Sequence, residues 1–204
     1  MAHKKREFKQ ARAERTYQAI VDAAARVFPK KGFEKTQAPD IARAAGISVG
    51  AIYRYFDDKR EIFLEMLKEN LDRARAEVAL RLSPESFNPA DPKAALTHVL
   101  DVLFDQVKKE PALAKVYLAM SLTDKEVGKI REEAEIYDRN FIAQMIANGL
   151  PRERIPDPSA AAIVIERAVT NTAIDCIIGS RTVSEEAAKA ALHSMIIRYL
   201  FGEI

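Results

Sequence analysis

The chain has 204 residues, 48% of them hydrophobic and 30% charged, which is enough for one large or two small domains with a real core and too apolar for a disordered chain. Its 32 Lys and Arg face 30 Asp and Glu, and the longest unbroken apolar run, Ala160 to Ile165, falls far short of the roughly 20 residues that a membrane crossing needs. The single cysteine, Cys176, excludes a disulfide framework and a multi-thiolate metal site; the charged start has no apolar stretch and does not read as a secretory signal, so the expected setting is cytoplasmic, with no membrane partner.

Only 7 Gly and 9 Pro interrupt a sequence dominated by Ala, Leu, Ile, Glu, Lys and Arg, and this predicts an all-α protein of about nine helices. Charge is uneven along it. Residues 1–60 hold 14 Lys and Arg against 7 Asp and Glu, which leaves 18 against 23 for the remainder. Lys4, Lys5, Arg6, Lys9, Arg12 and Arg15 at the start read either as an arm for a polyanion or as a solvated, frayed terminus.

A first helix is expected from about Arg12 to Lys31, with Ile20, Ala23, Ala24, Val27 and Phe28 at helical spacing and Gly32 ending it. Pro29 lacks the N–H for the carbonyl of Ala25, so a kink or an early end is expected there. Thr36 or Gln37 opens a short second helix that Gly46 stops, and Ser48 caps a third that ends near Phe56. Asp58 and Glu61 form a capping box for a long fourth helix, Lys59 to about Leu82, some 36 Å at about 1.5 Å per residue. The stretch 83–91 reads as a linker. Helices are then expected from Pro92 to Lys109, from Pro111 to about Leu122, from Thr123 or Asp124 to Gly149, from Pro158 to Gly179, and from Ser184 to Phe201.

The second and third helices, joined by a tight glycine turn, have the spacing of a helix-turn-helix. Ala42 is small enough for a close crossing, Gly46 can take positive φ, and Ile41, Ile47 and Ile52 fill the wedge. On a wheel of residues 48–56, Ile52 and Phe56 share one side while Gly50, Ala51, Tyr53 and Arg54 lie across from it. That outer side suits a DNA major groove: Gly50 admits a close backbone approach, Arg54 can pair with a guanine, and Tyr53 can meet a phosphate. Arg43 on the second helix is a further candidate. Tyr55 reads equally as a core aromatic.

The stretch 19–67 resembles the DNA-binding domain of the tetracycline-repressor (TetR) family. The resemblance rests on Phe28, Gly32, Phe33, Thr36, Ile41, Ala42, Ala45, Gly46, Ile47, Ser48, Gly50, Ile52, Tyr53, Tyr55, Phe56 and Lys59; Pro29, Pro39 and the acidic pair Asp57 and Asp58 depart from the pattern. It implies phosphate contacts from Thr36, Gln37, Tyr53, Tyr55 and Lys59, and base or backbone approach from Ser48, Val49, Gly50 and Ala51. It also implies a domain boundary, with 1–58 binding DNA and 59–204 forming a helical domain for ligand binding and dimerisation. The function expected is that of a ligand-responsive regulator, a repressor that binds a palindromic operator as a dimer and is released by a small-molecule effector. The alternative is a ligand-independent architectural or adaptor protein that uses the same head.

The eighth helix is apolar around nearly its whole circumference and must be covered on both sides, so its outer side is expected to meet a second subunit together with the ninth helix, unless a loop covers it. The resemblance implies the same homodimer. It also places ligands among the middle helices, where Phe104, Tyr117, Met120, Tyr137, Phe141, Met145, Thr170 and Asn171 are the candidates; Asn171 stands out as an amide that must be hydrogen-bonded if buried. The three histidines lie far apart and no HExxH, GxSxG or Walker-type loop is present, so neither an enzyme nor a cofactor is expected.

Overall fold

The computed structural model of the protein describes residues 2–81, 92–179 and 183–202, so the expected linker at 83–91 lies outside the described residues. Among the described residues there are nine helices and no strand: α1 (Ala2–Lys31), α2 (Ala38–Ala45), α3 (Val49–Ile52), α4 (Lys59–Arg81), α5 (Pro92–Lys109), α6 (Pro111–Thr123), α7 (Lys125–Gly149), α8 (Pro158–Ile177) and α9 (Glu185–Phe201). They fall into two compact units, Met1–Arg73 with Ala112–Met120, and Ala74–Pro111 with Ser121–Ile204. The units part inside α4, beyond the 58/59 boundary read from the sequence.

In the first unit, Ile20, Ala23, Ala24 and Phe28 of α1 recur at helical spacing and are buried, as are Ile41 and Ala42 of α2, Ile52 of α3, and Ile62, Phe63, Met66 and Leu67 of α4. The rings of Phe28, Phe33 and Phe63 pack on one another with centroids 5.0 to 5.8 Å apart. Two expectations about α1 need correction. The helix begins at Ala2 rather than near Arg12, because the charged arm is built from strong helix formers and contains no Gly or Pro. It also runs through Pro29 to Lys31 instead of stopping early. In the last turn the missing N–H deprives only one carbonyl, and the ladder resumes where Gly32, at φ +77°, donates to the Phe28 carbonyl at 2.8 Å.

In the second unit α8 is central, packing on α5, α7 and α9. Three helix starts carry side-chain caps. Asp124 accepts from the N–H groups of Glu126 and Val127 (2.9 and 3.2 Å), Asp157 from those of Ser159 and Ala160 (both 3.0 Å), and Ser184 from that of Ala187 (3.1 Å). Leu100, Phe104, Ile146, Ile165, Val169, Leu192, Ile196 and Leu200 form one core. The opposite side of α8 is open, with Ile163 and Val164 46% and 61% exposed.

Candidate DNA-binding site

The head is organised by the turn between α1 and α2. Thr36 is fully buried and its hydroxyl donates to the Gly32 carbonyl at 2.7 Å, so it braces the turn and presents no side chain to a phosphate. Lys59, expected on a phosphate, also turns inward. Its ammonium lies over the Phe33 ring and donates to the carbonyls of Phe33, Glu34 and Thr36 at 3.0, 3.0 and 3.1 Å, which occupies all three of its N–H donors. Both arrangements have one cause: a non-helical turn leaves carbonyls that need donors, and these two side chains supply them. Gln37, exposed, is the N-cap of α2, where its backbone N–H donates to Asp40 Oδ2 at 3.0 Å. Lys31 hydrogen-bonds Asp40 at 2.6 Å and holds its carboxyl below the usual carboxylate range.

The α2–α3 turn closes as the spacing requires. Gly46 takes φ +68°, its N–H donates to Arg43, and the Ile47 N–H reaches back to the Ala42 carbonyl at 3.0 Å, a Schellman ending. Arg26 of α1 donates to the Ala44 carbonyl at 3.1 Å and ties this ending to α1. The third helix is shorter than expected, with Tyr53 as its C-cap, but N–H groups of Arg54, Tyr55 and Phe56 still donate backwards and continue the coil as a turn. The wheel reading therefore survives. Ile52 and Phe56 are buried, whereas Ser48, Gly50, Tyr53 and Arg54 are exposed, Tyr53 by 57%. Val49, Ala51 and Tyr55 are half-buried, and Arg43 on α2 is exposed. Tyr55 sits edge-on to Tyr17 at 6.4 Å and Phe56 stacks on the same ring at 5.1 Å, so Tyr55 has a packing role whatever else it does.

Gly50 is informative because nothing among the described residues asks for it. Its φ is not positive, and a Cβ there would meet no atom within 4 Å.

The eight ligand candidates do not gather. Tyr117 and Met120 belong to the first unit and the others to the second. Phe104 is wholly inside the core and Met120 is buried; Tyr117, Met145 and Thr170 are half-buried; Tyr137 and Phe141 are exposed. Asn171 is exposed too, so the condition under which its amide would need an internal partner is not met. Val169, two residues before it, lies on the buried face, whereas Asn171 shares the outer stripe of α8 with Val164 and Asp175. The second unit has an open groove of about 480 Å³ lined by Ala168, Thr172 and Cys176 of α8 and Ala188, Ala191 and Met195 of α9. A smaller one, about 280 Å³, is lined by Thr97, Leu100 and Asp101 of α5 and Lys189 and His193 of α9. None of the eight candidates lines either.

The sequence reading missed an ionic cluster on α7 and α8. Glu135 receives Arg131 at 2.9 Å, Arg139 at 2.8 Å and a forked pair from Arg167 at 2.6 and 3.2 Å. Loss of hydration opposes its ionisation, but the hydrogen bonds from Arg167 and Arg131 win and keep its carboxyl below the ordinary range. Glu166, 4% exposed, lies 3.5 Å from Arg139 and 3.6 Å from Arg167. The i, i+4 spacing of Arg131, Glu135 and Arg139 was the available signal.

Residues 20–66 match the sequence pattern described as bacterial regulatory proteins, tetR family. The HTH-type transcriptional regulator TtgR of Pseudomonas putida is 28% identical over 165 residues, 75% of this chain and 76% of that one. The HTH-type transcriptional regulator AcrR of Shigella flexneri is 35% identical over 88 residues, 43% and 40% of the two chains. A transcriptional regulator from Pseudomonas aeruginosa PAO1, 14% identical, shares the fold with a TM-score of 0.75 over 91% of this chain and 90% of its own.

Proposed function

Because the chain belongs to the tetR family of bacterial regulatory proteins, transcription regulators with a DNA-binding helix-turn-helix, we propose that it is a cytoplasmic repressor that binds a palindromic operator as a homodimer and leaves it when a small-molecule effector binds. The observation that carries the DNA reading is Gly50: neither conformation nor packing among the described residues requires a glycine on this exposed surface, whereas a phosphate or base edge approaching the backbone does. In this reading Arg54 pairs with a guanine, Tyr53, Gln37 and Arg43 meet phosphates, and Ser48, Val49, Gly50 and Ala51 line the approach. Thr36, Lys59 and part of the role of Tyr55 pass from contact to support.

The homodimer uses the open side of α8 and α9. Exposed Val164, Met195 and Tyr199 supply apolar surface there, and the alanines of the 480 Å³ groove let helices of a second copy approach closely. Tyr137, Phe141, Met145 and Thr170 of the second unit remain the candidate effector contacts. The solid packing around Phe104 favours the second reading, a ligand-independent regulator with the same head.

The test selects duplexes from genomic fragments with the purified full chain, then measures stoichiometry by sedimentation and affinity by fluorescence anisotropy. The proposal expects two chains on a near-palindrome whose half-sites lie about one helical turn, or a multiple of it, apart. A single chain bound, or equal affinity for random DNA, overturns it. Effector dependence is read by repeating the anisotropy with compounds that raise the melting temperature; no loss of operator affinity with any of them supports the ligand-independent reading.

A further inference from the structure

Tyr17 stands on α1 just ahead of residues 20–66, the stretch that matches the family pattern, and helical spacing places it on the side of α1 that also carries the buried Ile20 and Val21. That side meets the turn that continues α3. The Tyr17 ring stacks on Phe56 with centroids 5.1 Å apart and planes at 24°, and the Tyr55 ring meets it edge-on at 6.4 Å and 68°. The Tyr17 phenol lies beside Glu65 of α4; lost hydration, and then this carboxylate, hold its proton above the ordinary tyrosine range. Phe56 is buried and belongs to the core. Tyr55 is different: it is half-buried, its hydroxyl is not enclosed, and no described residue hydrogen-bonds it. A held ring thus carries a free hydroxyl, directly after the exposed Tyr53 and Arg54 in the chain.

We propose that Tyr17 is a positioning residue for DNA binding: its ring holds the Tyr55 ring in the orientation that presents the Tyr55 hydroxyl to an operator phosphate. The inference rests on the repressor reading above and adds to it a residue outside the helix-turn-helix. An unbraced tyrosine samples several rotamers, and binding has to freeze one of them; a ring already held against a second ring is ordered before the DNA arrives. Tyr17 acts through Tyr55 and not by a contact of its own, because its phenol is turned towards the Glu65 carboxylate, whose charge would repel a phosphate. The edge-on contact that gives Tyr55 its packing role is then also what aims its hydroxyl.

The test measures affinity of the full chain for the selected palindrome by fluorescence anisotropy, with folding followed by circular dichroism. Tyr17→Leu, which removes the ring, is expected to weaken binding by about tenfold, whereas Tyr17→Phe, which keeps both ring contacts, is expected to stay within about threefold of the wild type. Tyr55→Phe is expected to cost about tenfold as well. The double variant decides. In the Tyr55→Phe background Tyr17→Leu is expected to cost no more than about twofold, because no hydroxyl is left to aim. A merely structural role predicts the opposite, the same loss with and without the hydroxyl. If Tyr17→Leu is unfolded, Tyr17→Met is read in the same way; if both are unfolded, Tyr17 is a core residue and the positioning role falls. Full affinity in Tyr17→Leu or in Tyr55→Phe, or an undiminished further loss in the double variant, likewise overturns it. A wild-type chain that prefers a palindrome while its variants fail these expectations loses the positioning role alone. One that prefers none loses the repressor reading, and the positioning role with it.

Discussion

Lys59 and Gly50 make opposite predictions about stability and DNA. Lys59→Ala strips donors from three carbonyls of the α1–α2 turn, so the head is expected to lose about 2 kcal/mol in chemical denaturation, read as an earlier midpoint at unchanged slope. Gly50→Ala does the reverse. It fills open space on a helix, so stability is expected to stay level or rise by up to about 1 kcal/mol, while operator affinity measured by anisotropy falls at least about tenfold. Retained affinity in Gly50→Ala would show that no DNA atom approaches that backbone. A third prediction concerns Asp138. Its carboxyl is raised from 3.8 to about 6 in the folded chain, with Arg75 of α4, Glu166 of α8, and Glu135 and Arg139 of α7 around it. A raised carboxyl favours the folded state while protonated, and that contribution is lost as pH rises through about 6. Asp138→Asn keeps the neutral form at every pH, so its melting temperature is expected to match the wild type below about pH 4, to exceed it increasingly up to about pH 6, and to level off above that. A constant difference across that window would remove the desolvation argument.

At the scale of elements, helix ends decide more than helix interiors. Pro29 is tolerated because it sits in the last turn of α1, where one carbonyl goes without its donor. Pro29→Ala restores that donor and is expected to raise the midpoint of thermal unfolding by a few degrees, corresponding to about 1 kcal/mol; a fall would mean that the ring itself packs in the core. The far end of α9 is closed by a residue distant in sequence. Arg154, in the loop after α7, donates to the carbonyls of Arg198, Tyr199 and Leu200 at 3.1 to 3.2 Å, where the negative end of the helix dipole favours a cation. Gly202, at φ +74°, leaves room for that guanidinium, which a Cβ would meet at under 3 Å.

For the whole molecule, the surface proposed to meet a second copy is the α8–α9 face. Met195 is half-exposed on the rim of the groove, and a charge placed there would be desolvated by a second copy. Met195→Glu is therefore expected to shift the protein from dimer to monomer in sedimentation at micromolar concentration, with operator affinity falling in parallel because the two heads lose their fixed spacing. A variant that stays dimeric would place the subunit contact elsewhere. Among the described residues no helix is long and apolar enough to cross a membrane.

The sequence by itself determined what depends on neighbours a few positions away. Helix order and most boundaries followed from proline and aspartate starts, glycine stops and apolar spacing; the helix-turn-helix followed from Ile41, Ala42, Gly46 and Ile52; and the outward side of α3 followed from a wheel, all of them local rules of backbone geometry. Tertiary structure decided everything that depends on which side chain meets a distant backbone group. Thr36 and Lys59 have the chemistry of phosphate ligands, and only folding shows that turn carbonyls take their donors. Asn171 sits among apolar residues in sequence yet faces solvent, because residues adjacent along a helix point in different directions. The cluster of Glu135, Asp138 and Glu166 with Arg75 joins three helices, and no spacing along one chain records the distance between charges that packing alone brings together.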